Sequence, residues 1–155
     1  MNSKAMVLAV SALAATGLGL AAQTKPAASA AAKMVVYKSP TCGCCVAWIQ
    51  HLRAAGFQVE AHDVTDAKLS TVKAESGVTE ELSSCHTAKI DGYTIEGHVP
   101  AADVQKMLKE RPKVSGIAVP GMPTGSPGME GGAKQPYDTV AFTKGGAKTV
   151  YVPHR

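Results

Sequence analysis

The chain is poor in aromatic side chains, with one Trp, four Tyr and two Phe among 155 residues. That is too few to lay out a stacking platform for single-stranded nucleic acid. No run of Lys or Arg is present either, so the electrostatic footprint of a DNA- or RNA-binding protein is missing. Charged residues make up only 18% and apolar residues 45%, a balance that suits one globular domain rather than two and excludes a disordered chain. No internal repeat is evident. Cysteine is scarce as well, at four residues, yet three of them stand together as Cys42, Cys44 and Cys45, with Cys85 apart. Two structural disulfides would explain them poorly. Three cysteines within four positions close almost no loop, and loop closure is where such bridges gain their stabilisation.

What is plentiful is alanine at the start: 12 of the 25 alanines lie in residues 1–32. Lys4 is followed by an apolar run from Ala5 to Ala22 and then by small-residue sites, the pattern of a secretory signal peptide. Residues 1–30 are therefore assigned to the signal peptide and the start of a linker, with cleavage after Ala22 or Ala30. The Ala- and Gly-rich run is a weak membrane span, so no stable insertion is expected after cleavage. The remaining chain would carry 14 basic and 12 acidic residues. Export places its thiols where idle cysteines tend to oxidise, so their clustering needs a purpose.

Residues 34–155 are read as the domain. Met34 to Tyr37 is a short buried strand, and Val46, Trp48, Ile49 and Leu52 give a helix from about Cys44 to Ala55, stopped by Gly56. Phe57 to Val64 is extended, and Ala67 to Glu75 forms a second helix ending at Gly77. Ala88 to Ile90 and Tyr93 to Ile95 make a hairpin around Asp91-Gly92. Pro100 opens a third helix that stops near Arg111-Pro112, where the compact module is expected to end. The Gly-, Pro- and Met-rich stretch from Val119 to Met129 reads as an ordered loop or lid, and Thr139 to Phe142 with Lys148 to Val152 as a C-terminal β-hairpin.

This order is that of an α/β, thioredoxin-like (glutaredoxin-like) single domain, with the Cys-x-x-Cys of Cys42 and Cys45 at a helix start. Free N–H groups and the helix dipole favour a thiolate there. Where glutaredoxins carry Val-Pro facing that turn, this chain has Ser84-Cys85-His86-Thr87, which would bring Cys85 to face the other three. Four converging thiols exceed what a dithiol enzyme needs; soft ligands select Cu(I), zinc or iron-sulfur clusters, and export makes the last the poorest fit, which leaves copper or zinc. Cys44 and Cys45 should diverge on the helix, which disfavours one closed tetrahedral zinc site and leaves bridging thiolates around several Cu(I) ions. Met122 and Met129 could add thioether donors or simply fill space. His86 could complete the site or bond to backbone. His98 is a further candidate ligand, though an exposed turn histidine is the default; His51, His62 and His154 show no ligand spacing and are taken as surface residues.

Four long motifs then carry a resemblance: Val36-Tyr37-Lys38-Ser39-Pro40-Thr41-Cys42-Gly43-Cys44-Cys45; Leu82-Ser83-Ser84-Cys85-His86-Thr87-Ala88; Tyr93 to Asp103; and Gly116 to Glu130. The stretch from Met34 to Val152 resembles the exported CopG-type copper-resistance proteins, a family of predicted metal binding. The resemblance implies a thioredoxin-like fold, a periplasmic location in a Gram-negative bacterium, and copper held in a multinuclear, cysteine-bridged cluster by Cys42, Cys44, Cys45 and Cys85. It makes other periplasmic copper-handling proteins possible partners. Two rival readings remain: a thiol-disulfide oxidoreductase using Cys42 and Cys45, and a metallochaperone delivering copper.

Overall fold

A computed structural model describes residues 33–155, so the expected signal peptide and its two candidate cleavage sites lie outside the described residues. The apolar runs become a seven-stranded sheet in the order β2-β1-β3-β4-β5-β6-β7. β1 (Met34–Lys38) feeds α1 (Gly43–Ala54), which returns to β2 (Val59–Asp63), parallel to β1. After α2 (Asp66–Glu75) and one 3-10 turn at Glu80–Leu82, β3 (His86–Ile90) runs antiparallel to β1 and turns into β4 (Tyr93–Gly97). Asp91 and Gly92 both have positive φ, 50° and 85°, the type I′ geometry that matches the twist of a two-residue hairpin. α3 (Ala101–Glu110) follows and ends with Arg111 in the left-handed conformation, just before Pro112.

The module does not stop there. β5 (Gly116–Val119) lies parallel to β4, and β6 (Tyr137–Phe142) and β7 (Lys148–His154) continue the same sheet as an antiparallel pair. The expected boundary after α3 is thus corrected. All four β5 residues are buried, and a strand covered on both faces reads as a short apolar run with no alternation to betray it. Gly116 is required at its start, because a Cβ there would collide with the backbone of Thr94 on β4.

One face of the sheet packs Met34, Val36, Ala88, Ile90, Ile95, Ile117 and Val119 against Trp48, Ile49 and Leu52 of α1 and Val104 and Met107 of α3. Ala118 and Phe142 form a smaller apolar cluster with Val78 and Leu82. β1, β4 and β5 all run toward one end of the sheet, the end where loops of a parallel array gather and ligands bind. The cysteines and the Gly-, Pro- and Met-rich loop are at that end. Among the described residues no helix is long and apolar enough to cross a membrane.

Candidate metal centre

Cys42 is the N-cap of α1, and its sulfur accepts the N–H of Cys45 at 3.3 Å. No acidic residue offsets the free N–H groups of that first turn, so the helix end favours negative charge on sulfur. Cys42 and Cys45 are joined as a disulfide, whereas Cys44 and Cys85 are free. Cys85 sits on the short irregular link between the 3-10 turn and β3 and meets α1 as its position implied. Its sulfur lies 3.5 Å from that of Cys45 and 3.8 Å from that of Cys44, and Cys44 Sγ is 3.5 Å from Cys42 Sγ. All four sulfurs fall within 4.8 Å of one another. The expected divergence of Cys44 and Cys45 therefore does not keep their sulfurs apart, since Cys85 Sγ lies within 3.8 Å of both.

His98 is not an exposed turn residue: it is fully buried at the end of β4. Its Nδ1 is 2.8 Å from the Pro127 carbonyl, which can only accept, so Nδ1 carries the proton and Nε2 presents its lone pair to Cys85 Sγ at 3.0 Å. His86 is also fully buried, with Nδ1 3.4 Å from the same sulfur, its ring centroid 4.2 Å from that of Trp48, and Nε2 without a hydrogen-bond partner. Cys85, His86 and His98 thus form a second donor group that shares Cys85 with the first. Burial holds both imidazoles below their ordinary protonation range. Burial first, and then the neighbouring Cys44, push the Cys85 thiol up to about 12.

The loop is a wall of this site. Gly128 has φ +87°, and a Cβ there would lie 2.7 Å from the Cys44 carbonyl oxygen and 2.9 Å from Trp48 N. Only a residue without a side chain allows this approach at a left-handed φ. The loop is ordered by its own bonds, from Gly125 N to the Met129 carbonyl and from Gln135 N to the Thr124 carbonyl, and by Gly121 N donating to the Ser83 carbonyl. Met129 is half-buried, while Met122 is 53% exposed.

The histidines set aside in the sequence divide. His62 is exposed and pairs with Glu60. His51 is half-buried and its Nε2 accepts the N–H of Ala101 at 3.1 Å, capping α3. His154 is half-buried and reaches Asp103 at 2.9 Å, tying β7 to α3; both depart from the surface assignment.

Sequence reasoning missed a buried charged group beside the site. Glu96 on β4 is fully buried and accepts from Ser84 N at 2.7 Å, Thr87 Oγ1 at 2.7 Å and Lys73 Nζ of α2. Burial pushes its carboxyl up and Lys73 opposes the shift. The available signal was a glutamate inside the second strand of the hairpin, directly before Gly97, and buried charge is rare unless paired.

A family model described as a protein of unknown function, DUF411, matches residues 82–129. No curated protein matches. Among solved structures, form 2 of a copper resistance protein, CopG, is 46% identical with a TM-score of 0.74, over 80% of this chain and 98% of that one. Form 1 of the same protein is 47% identical with a TM-score of 0.72, over 79% and 96%.

Proposed function

The chain belongs to the family of the copper resistance protein CopG, and from that premise we propose that it is an exported, periplasmic copper-binding protein. It holds Cu(I) on Cys42, Cys44, Cys45 and Cys85, as a small cluster with bridging thiolates. The observation that carries this is the gathering of four sulfurs within 4.8 Å from two segments far apart in sequence, with no carboxylate in the group. An all-sulfur donor set suits Cu(I) rather than a hard cation. Its sulfur spacings of 3.5 to 3.8 Å support sharing of thiolates between ions. His98 and His86 stand as further donors through Cys85. Met129 and the exposed Met122 would serve entry or exit of the ion. The order β1-α1-β2-α2-β3-β4-α3 with the sheet order β2-β1-β3-β4 supports a thioredoxin-like reading of the first part of the domain, with β5 to β7 added to its edge.

All four sulfurs become donors only once the Cys42–Cys45 bond is reduced, a step that consumes two electrons and two protons from a thiol reductant. Each thiol then loses its proton as the metal binds. Anaerobic Cu(I) titration of the reduced protein, with elemental analysis and X-ray absorption at the copper edge, tests the reading. More than one copper per chain with sulfur neighbours is expected, and Cys→Ser at all four positions should abolish retention. No retained copper, or zinc held in preference, would refute it.

One observation favours a second reading: the Cys42–Cys45 disulfide at the start of α1 is where a thiol-disulfide oxidoreductase keeps its reactive pair. Insulin-reducing turnover lost in Cys42→Ser but kept in Cys44→Ser and Cys85→Ser would establish it.

A further inference from the structure

We propose that Glu96, with Lys73 as its counter-ion, is a positioning residue for Cys85: one buried carboxylate grips the chain on both sides of that cysteine and sets its sulfur against α1. The inference rests on the reading of the four sulfurs as the copper site. Ser83, Ser84 and Cys85 belong to no helix or strand, because the 3-10 turn ends at Leu82 and β3 begins at His86. A sulfur carried on such a link has no ladder to fix it. Gly121 donates its N–H to the Ser83 carbonyl and accepts from the Ser84 hydroxyl, and Glu96 supplies the anchor that spans the two sides of Cys85. One of its oxygens, Oε1, takes the N–H of Ser84, immediately before Cys85, and Oε2 takes the hydroxyl of Thr87, two residues after it.

Lys73 completes the arrangement from the second helix. Its ammonium pairs with Glu96 Oε1 and donates to Thr87 Oγ1 at 3.1 Å, so α2, β3 and β4 meet at one point behind the cysteine. Stability alone gives a weak reason for this pair. Buried ion pairs are commonly matched or bettered by apolar residues of similar volume, whereas a half-removed pair is costly. What an apolar pair would not supply is an acceptor for Ser84 N. Gly97 has φ +71°, and a Cβ there would lie 2.5 Å from the Ser84 side chain, so the link is also pressed against β4 at this point.

The test uses protein recovered from the periplasm of an expressing bacterium, reduced and freed of metal, and compares two double variants. Lys73→Met with Glu96→Gln removes both charges but keeps an amide oxygen for Ser84 N. Lys73→Met with Glu96→Leu removes both charges and the acceptor. Cys85 should react with iodoacetamide about tenfold faster in the Leu variant, while Cys44 reacts as before and the Gln variant behaves as wild type. With Cu(I) added, the thiolate-to-copper absorption should weaken in the Leu variant and recover in the Gln variant. Equal Cys85 reactivity and equal copper spectra in all three proteins would overturn the proposal. If the Leu variant does not fold, Glu96→Asp decides: it keeps the charge beside Lys73 but shortens the reach, and an unchanged Cys85 rate would again overturn it. Wild-type protein that binds no Cu(I) would sink the copper reading and leave the alkylation contrast to judge positioning by itself.

Discussion

At the scale of single residues, the site depends on contacts that leave no spare volume. Gly128 abuts the Cys44 carbonyl and Trp48 N at a left-handed φ, whereas Gly121, also left-handed at φ +67°, has nothing within 4 Å of where a Cβ would be. Gly121→Ala should therefore cost only about 1 kcal/mol, the backbone term. Gly128→Ala should cost roughly 2–4 kcal/mol, because the collision adds to it; urea denaturation midpoints of the two variants measure the difference. Trp48 is the one tryptophan of the chain. It is fully buried, donates to the Val99 carbonyl at 2.8 Å and lies against the His86 ring beside Cys85. Its emission should change during Cu(I) titration and saturate together with the thiolate absorption band. An unchanged emission in a protein that demonstrably binds copper would place the metal away from Cys85.

At the scale of elements, β5 decides whether the C-terminal hairpin is an appendage or part of the domain. Ile117 is fully buried in the same core as Trp48 and Ile95, so Ile117→Ala should cost about 2–5 kcal/mol. Unfolding should remain one cooperative transition; a separate early transition of the C-terminal part would contradict the continuous sheet. His51→Ala, which removes the acceptor for the first N–H of α3, should cost about 1 kcal/mol. The first four strands, the helices, the Asp91-Gly92 turn and the C-terminal hairpin were legible because periodicity and turn chemistry are local. β5 was not, since Gly116 to Val119 has neither length nor alternation. His98 was misplaced for a related reason: it follows a glycine at a strand end, and its burial comes from distant segments, with Cys85 and His86 against its ring and Pro127 and Gly128 packed beside it. The meeting of Cys85 with the α1 cysteines was legible through the order of elements. The grip of Glu96 and Lys73 depends on side chains from three elements and has no linear spacing.

At the scale of the whole molecule, the oxidised form commits two of its four cysteine sulfurs to one bond. Protein treated with diamide and then freed of the oxidant should take up less Cu(I) than the reduced protein, and dithiothreitol should restore the difference. Equal uptake before and after reduction would mean that Cys42 and Cys45 are not needed as donors. Zinc competition during the same titration would show whether the four sulfurs discriminate between the metals or accept either.

The strand directions have a practical corollary at the opposite pole. Every segment that builds the site crosses the end where β1, β4 and β5 finish, so the Asp91-Gly92 turn and the Thr143 to Ala147 turn between β6 and β7 lie at the other end. Lys144, Gly145 and Gly146 are exposed there, the kind of loop tip that accepts inserted sequence. A peptide tag or a surface-coupling group placed at Gly145-Gly146 would let the protein be immobilised with its sulfurs facing solution. The molecule is thus laid out like an electrode with its lead and its tip at opposite ends.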